Sequence, residues 1–66
     1  MTPAQRKIET AYSRAMNLRD AAPLPVSDAE EARYGRDYRK AYKSGDALGF
    51  NVATRRYLKA LRAAND

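Results

Sequence analysis

Residues 33–46 read RYGRDYRKAYKSGD, and the fold turns on how they are wound. The first eleven hold five cations (Arg33, Arg36, Arg39, Lys40, Lys43), three tyrosines (Tyr34, Tyr38, Tyr42) and one acid, Asp37. At about 100° per residue, Tyr34, Tyr38, Ala41 and Tyr42 fall on one side of a helix and the cations crowd the other. Gly45 then fits the left-handed residue that ends a helix, and Asp46 is a ready N-cap for the next. The stretch therefore predicts a helix to about Ser44, a tight turn, and a third helix lying beside the second. Gly35, inside the helix, costs about 1 kcal/mol relative to alanine; a glycine there either admits a close neighbour or is simply tolerated.

Working outward, the second helix begins at Ser27 and runs over about 28–44. Ser27 and Glu30 have capping-box spacing, and Asp28, Glu30 and Glu31 set negative charge at the positive end of the helix dipole. That explains the acidic cluster locally, without a metal. The third helix runs over about 47–64, with Phe50, Ala53, Thr54, Tyr57, Leu58, Leu61 and Ala64 on its apolar face. Arg55, Arg56, Lys59 and Arg62 take the opposite side, with Val52 exposed among them.

Upstream, Thr2 and Pro3 open a first helix over about 3–21. Ala4, Ile8, Ala11, Tyr12, Ala15, Leu18 and Ala22 recur at helical spacing, while Arg6, Lys7, Ser13, Arg14 and Asn17 lie away from them. Met16 fills the edge of that face, and Arg19 is expected to snorkel. Pro23 and Pro25 stop the helix and stiffen a link over 22–27. Leu24 and Val26 are expected to plug the end of the core.

Three amphipathic helices without a strand signal predict an all-α fold: a small three-helix bundle, or a helical hairpin with a third helix packed across it. Sixty-six residues make a single domain whose core supplies on the order of 3–5 kcal/mol. With one Phe, one Ile and five Leu, that core needs its tyrosines inside. The alternative for Tyr34, Tyr38 and Tyr42 is a platform on which bases stack.

The chain lacks cysteine and histidine, so there are no disulfides, no thiol nucleophile and no imidazole base. No glycine-rich phosphate loop is present. The expectation is a non-enzyme without metal, cofactor or small-molecule substrate. No run approaches the roughly 18 apolar residues of a membrane span, and the amino terminus lacks a signal peptide's hydrophobic core. A cytoplasmic protein with no membrane partner is expected.

The net charge of +5 is unevenly placed: residues 33–62 carry nine Lys/Arg against Asp37 and Asp46, whereas residues 1–32 carry four against five acids. Glu30 is expected to pair with Arg33, and Asp37 with Arg33 or Lys40. Arg36, Arg39, Lys43, Arg55, Arg56, Lys59 and Arg62 have no local acid and are the candidate partner-binding residues. Such a surface suits an anionic macromolecule, either nucleic acid or an acidic protein face, or else merely solvates the fold. In an antiparallel hairpin the two outer faces point apart, so whether the two cationic stripes form one patch or two is left open by the sequence.

Two familiar patterns come close to this sequence. Ala41 and Gly45 have the spacing of a helix-turn-helix, but Lys40, Ser44, Asp46, Asn51 and Thr54 occupy positions that motif keeps apolar. AYKSGD, Ala53, Tyr57 and Lys59–Leu61 resemble parts of a tetratricopeptide hairpin, with three extra residues between the halves and only one hairpin. Neither pattern places the chain in a family. The leading expectation is a small basic regulator acting by occupancy on nucleic acid or a nucleic-acid-handling complex. The first alternative is a phage-type stoichiometric inhibitor or adaptor of a larger host machine, such as a polymerase or CRISPR complex. The second is a self-assembling structural subunit, with a homodimer as its simplest form.

Overall fold

The computed structural model describes all 66 residues. Three helices, α1 (Pro3–Ala21), α2 (Asp28–Ser44) and α3 (Ala47–Ala64), pack together with every pair in contact. The result is a three-helix bundle, longer than it is wide at 36 × 19 × 14 Å.

Each helix starts where its capping residue says it should. Thr2 and Gln5 close a full capping box: the Gln5 N–H donates to Thr2 Oγ1 at 3.1 Å and the Thr2 N–H to Gln5 Oε1 at 3.0 Å. Ser27 Oγ accepts from the Glu30 N–H at 3.2 Å. The reciprocal half of that box is replaced, because the Glu30 carboxylate turns to Arg56 instead. Gly45, with φ of 72°, ends α2 in the left-handed conformation, which costs an L-residue roughly 1–2 kcal/mol. Asp46 then caps α3 by accepting from the Gly49 N–H at 2.9 Å. A Cβ on Gly49 would overlap that same carboxylate, so glycine is what lets the cap close. Gly35 has no such role: a Cβ there would meet only the tip of Arg39 at 3.5 Å.

The core is thin and aromatic. Ile8 and Ala15 from α1, Val26 from the link, Tyr34 and Ala41 from α2, and Phe50, Tyr57 and Leu61 from α3 are buried. Stacked rings join the helices: Tyr12 lies on Tyr38 (4.1 Å between centroids) and near Tyr34 (5.5 Å), while Tyr34 stacks on Tyr57 (4.3 Å) and Phe50 (5.2 Å). Pairs of this kind contribute roughly 0.5–1.5 kcal/mol beyond their buried area. Tyr34 and Tyr57 are 2% and 1% exposed and lie inside the fold, while Tyr38 and Tyr42, the other two rings of the stacking alternative, are partly buried and pack against the core.

Buried rings still need partners for their hydroxyls. Tyr34 Oη and Thr54 Oγ1 are 2.8 Å apart, and the Tyr57 hydroxyl donates to Glu31 at 2.5 Å. Glu31 also receives Arg19 at 3.3 Å. Arg19 therefore does more than snorkel: through Glu31 it connects α1 to α2, and Tyr57 connects α2 to α3. Burial, reinforced by the bond to Glu31, pushes the Tyr57 hydroxyl well above the usual phenol range.

The link departs in part from expectation. Val26 plugs the core, but Leu24 remains exposed. Leu24 is held by its backbone instead: Asn65 Oδ1 accepts from its N–H, and Asn65 Nδ2 donates to its carbonyl, both at 2.8 Å. Leu18, placed on the core face by periodicity, is exposed as well.

Candidate functional site

α2 presents its cations on the side away from Tyr34 and Ala41. Arg36, Arg39 and Lys43 are exposed there and form no ion pair. They lie on a convex helix surface, and none of them lines a groove. On α3, Phe50, Tyr57 and Leu61 point inward, so the helical repeat sends Arg55, Lys59 and Arg62 outward, and they too are exposed. Leu48 and Val52 share that outward face, 80% and 60% exposed.

Arg56 stands apart from the other candidates. Its guanidinium lies 3.5 Å from the Glu30 carboxylate across the α2–α3 contact. The expected pairs of Glu30 with Arg33 and of Asp37 with Arg33 or Lys40 do not form. Tertiary geometry overrode them, since local pairs are worth only roughly 0.2–0.5 kcal/mol. The replacement is an exposed pair and is itself worth about 1 kcal/mol or less. Of the thirteen cations, only Arg19 and Arg56 are paired at all.

No groove is lined by candidate cations of both stripes. What the bundle brings together is a different set. α1 packs beside α3 so that Arg14 and Arg55 line a common groove with Asn51, Thr54 and Leu58, above Ala11 and Ala15. Toward the amino end of α1, the groove continues past Arg6, Lys7 and Thr10. Neither part has a carboxylate in its lining. The α2–α3 groove contrasts with it: Arg33, Lys40 and Arg56 are interrupted there by Asp37 and Asp46.

Helical periodicity places Arg6, Lys7 and Arg14 away from the apolar face of α1 but attaches no function to them. Residues 1–32 are net acidic overall, and that average hid them. Of the five acids there, Asp20 and Glu31 hold Arg19, Glu30 holds Arg56 and Asp28 opens α2, while Glu9 lies on the outer flank of α1 beside Thr10 and Arg14 without lining the groove. The signal present in the sequence was the repeat Lys7–Arg14 around Ala11, a cationic edge with a small residue between.

No helix is long and apolar enough to cross a membrane. Comparison with protein-family models, with curated proteins and with solved structures finds no match for this chain.

Proposed function

We propose that the chain is a non-enzymatic binding protein that acts by occupancy on nucleic acid or on a nucleic-acid-handling complex, as a regulator. The observation that supports this most directly is that Arg36, Arg39, Lys43, Arg55, Lys59 and Arg62 are exposed and unpaired. Unpaired cations on a small rigid body can exchange their counterions for phosphates without breaking any internal ion pair. Arg56 would contribute after release from its exposed pair. Tyr34 is buried, and Tyr38 and Tyr42 are partly covered by the core they pack against, which leaves little aromatic face on which bases could stack. Binding is then dominated by the backbone and low in sequence preference.

The test is a titration of labelled duplex and single strand at several salt concentrations. Log affinity should fall linearly with log salt, by roughly 0.9 per phosphate neutralised on duplex and roughly 0.7 on single strand. Affinity that is independent of salt, or absent at low salt, removes this reading.

A second reading draws on Leu48 and Val52, which stand exposed among the cations of α3. A mixed apolar and cationic face suits a protein partner with an acidic surface, as for a stoichiometric inhibitor or adaptor of a larger machine. Capture of one discrete protein that survives nuclease, and is lost in Leu48→Glu, favours this reading over nucleic acid.

A further inference from the structure

We propose that the groove between α1 and α3 seats a run of phosphates, the phosphodiester backbone of a nucleic-acid strand, with Lys7 and Arg14 on one wall and Arg55 on the other. The inference rests on the nucleic-acid reading above and says where on the surface that binding is centred.

Three features distinguish this groove from the other cationic surfaces. The first is sign. Its lining contains Arg6, Lys7, Arg14 and Arg55 and no acid, whereas the α2–α3 groove has Asp37 and Asp46 to repel an anion. The second is shape. Lys7 and Arg14 are two helical turns apart, about 10.5 Å along the axis, with Ala11 between them keeping the floor low. That span takes more than one phosphate of a strand but fewer than three steps, because the strand's own path is longer than its rise of about 3.4 Å per phosphate along the duplex axis. Arg55 faces the same space from α3, so a strand lying there is contacted from both sides. On the α2 stripe it would touch a single convex row.

The third is hydrogen bonding. Thr10 and Asn51 line the groove and can donate to phosphate oxygens, as can Thr54 where its hydroxyl accepts from Tyr34 and keeps its own proton free. An arginine fork adds two parallel bonds to each phosphate it meets. The apolar recess around Leu18, Leu58 and Leu61 has Arg62 as its only cation and offers a backbone little.

The experiment compares two double variants that remove equal charge, Arg14→Gln with Arg55→Gln and Arg36→Gln with Arg39→Gln. All four side chains are exposed, and circular dichroism verifies that both proteins remain folded. Anisotropy titrations of a labelled duplex should show the groove variant losing about 1.8 from the salt slope and roughly eightfold in affinity per lost contact at about 0.1 M salt. The stripe variant should lose distinctly less. Equal losses, or a larger loss from the stripe, overturn the proposal.

A second arm keeps the wild-type chain and follows amide shifts as inorganic tripolyphosphate is added. Shifts concentrated at Thr10, Asn51 and Thr54 support the groove. Shifts concentrated at residues 36–43, or no shifts, overturn it. If the wild type binds no oligonucleotide while the groove amides still respond to tripolyphosphate, the nucleic-acid function falls and the phosphate seat stands.

Discussion

Glu31 is one carboxylate serving two helices besides its own, and its position shapes how the fold responds to alkali. It accepts from the buried Tyr57 hydroxyl and from Arg19. Burial first, and then the carboxylate partner, hold the Tyr57 proton in place beyond the normal phenol range; burial does the same for Tyr34 and Tyr38. In the unfolded chain these tyrosines titrate near their ordinary value of about 10. Their folded values are higher, so the unfolded state loses protons first. The stability they supply is complete below about pH 10 and is lost as pH rises beyond it, approaching about 1.4 kcal/mol per pH unit for Tyr57, whose shift is the large one. Tyr57→Phe should cost roughly 1–3 kcal/mol at neutral pH, because Glu31 loses its donor, and should also make the alkaline decline shallower by one tyrosine's share. Urea unfolding of both proteins from pH 8 to 11 measures this, and parallel declines would contradict it. Gly35 makes the opposite case. It sits in mid-helix with negative φ, and a Cβ there would make only an ordinary contact with the tip of Arg39, so Gly35→Ala should stabilise the protein by about 0.5–1 kcal/mol. A loss of stability in the same urea assay would mean that Gly35 has a packing role the geometry does not reveal.

At the scale of elements, helices and their ends were the most legible part of the sequence. Thr2, Ser27 and Asp46 cap by short-range chemistry, and Gly45 ends α2 through its own φ. None of these needs knowledge of the rest of the chain. The inward faces of α2 and α3 were readable for a related reason, since Tyr34, Ala41, Phe50, Tyr57 and Leu61 recur at the helical period. Leu18 was misplaced because periodicity says which side of a helix is apolar, not where its neighbours stop covering it. The link was half legible for a further reason. Two prolines announced a stiff connection, but the anchor on Leu24 lies 41 residues away at Asn65. Leu24 is flanked by prolines that lack donors, and Asn65 imitates a paired strand by meeting both its N–H and its carbonyl. The same amide also donates to the Leu61 carbonyl at 2.8 Å, at the end of α3. Each such bond contributes roughly 0.5–1.5 kcal/mol, and the two to Leu24 are exposed and lie at the low end, so Asn65→Ala should cost about 1–3 kcal/mol. It should also expose the Leu24 amide to rapid hydrogen exchange while amides at the centre of α2 keep their relative protection. Unchanged exchange at Leu24 would show that the prolines alone hold the link.

Over the whole molecule, charge is the property the sequence revealed in amount but not in place. That the carboxy-terminal half is cationic follows from counting. That Arg14 of α1 joins Arg55 of α3 depends on which flank of α1 meets α3, and helical periodicity does not specify that arrangement. The same reasoning explains why Glu30 found Arg56 and not Arg33. The outcome is a narrow bundle with eight buried residues, a net charge of +5, and cations one turn apart along its outer faces. Arg36 lies three or four residues from Arg39 and Lys40, Arg39 from Lys43, and Lys59 from Arg55, Arg56 and Arg62. Like charges at these spacings each cost roughly 0.2–0.5 kcal/mol, and Arg19–Glu31 and Arg56–Glu30 are too few to offset them all. Folding therefore gathers positive charge that the unfolded chain spreads out. Raising a chloride salt from about 0.01 to 0.15 M shortens the screening length from about 30 to 8 Å and should relieve that repulsion. If the net relief is about 1 kcal/mol, Tm should rise by about 4–8 °C in a domain of this size. Differential scanning calorimetry across that range decides the matter. A Tm that falls with salt would mean that the few attractive pairs dominate and that the cationic faces are better compensated than their geometry indicates. Tripolyphosphate at matched ionic strength should raise Tm further than chloride, because it adds bound-state stabilisation to screening. An identical rise in the two salts would leave screening as the whole effect and count against a phosphate seat.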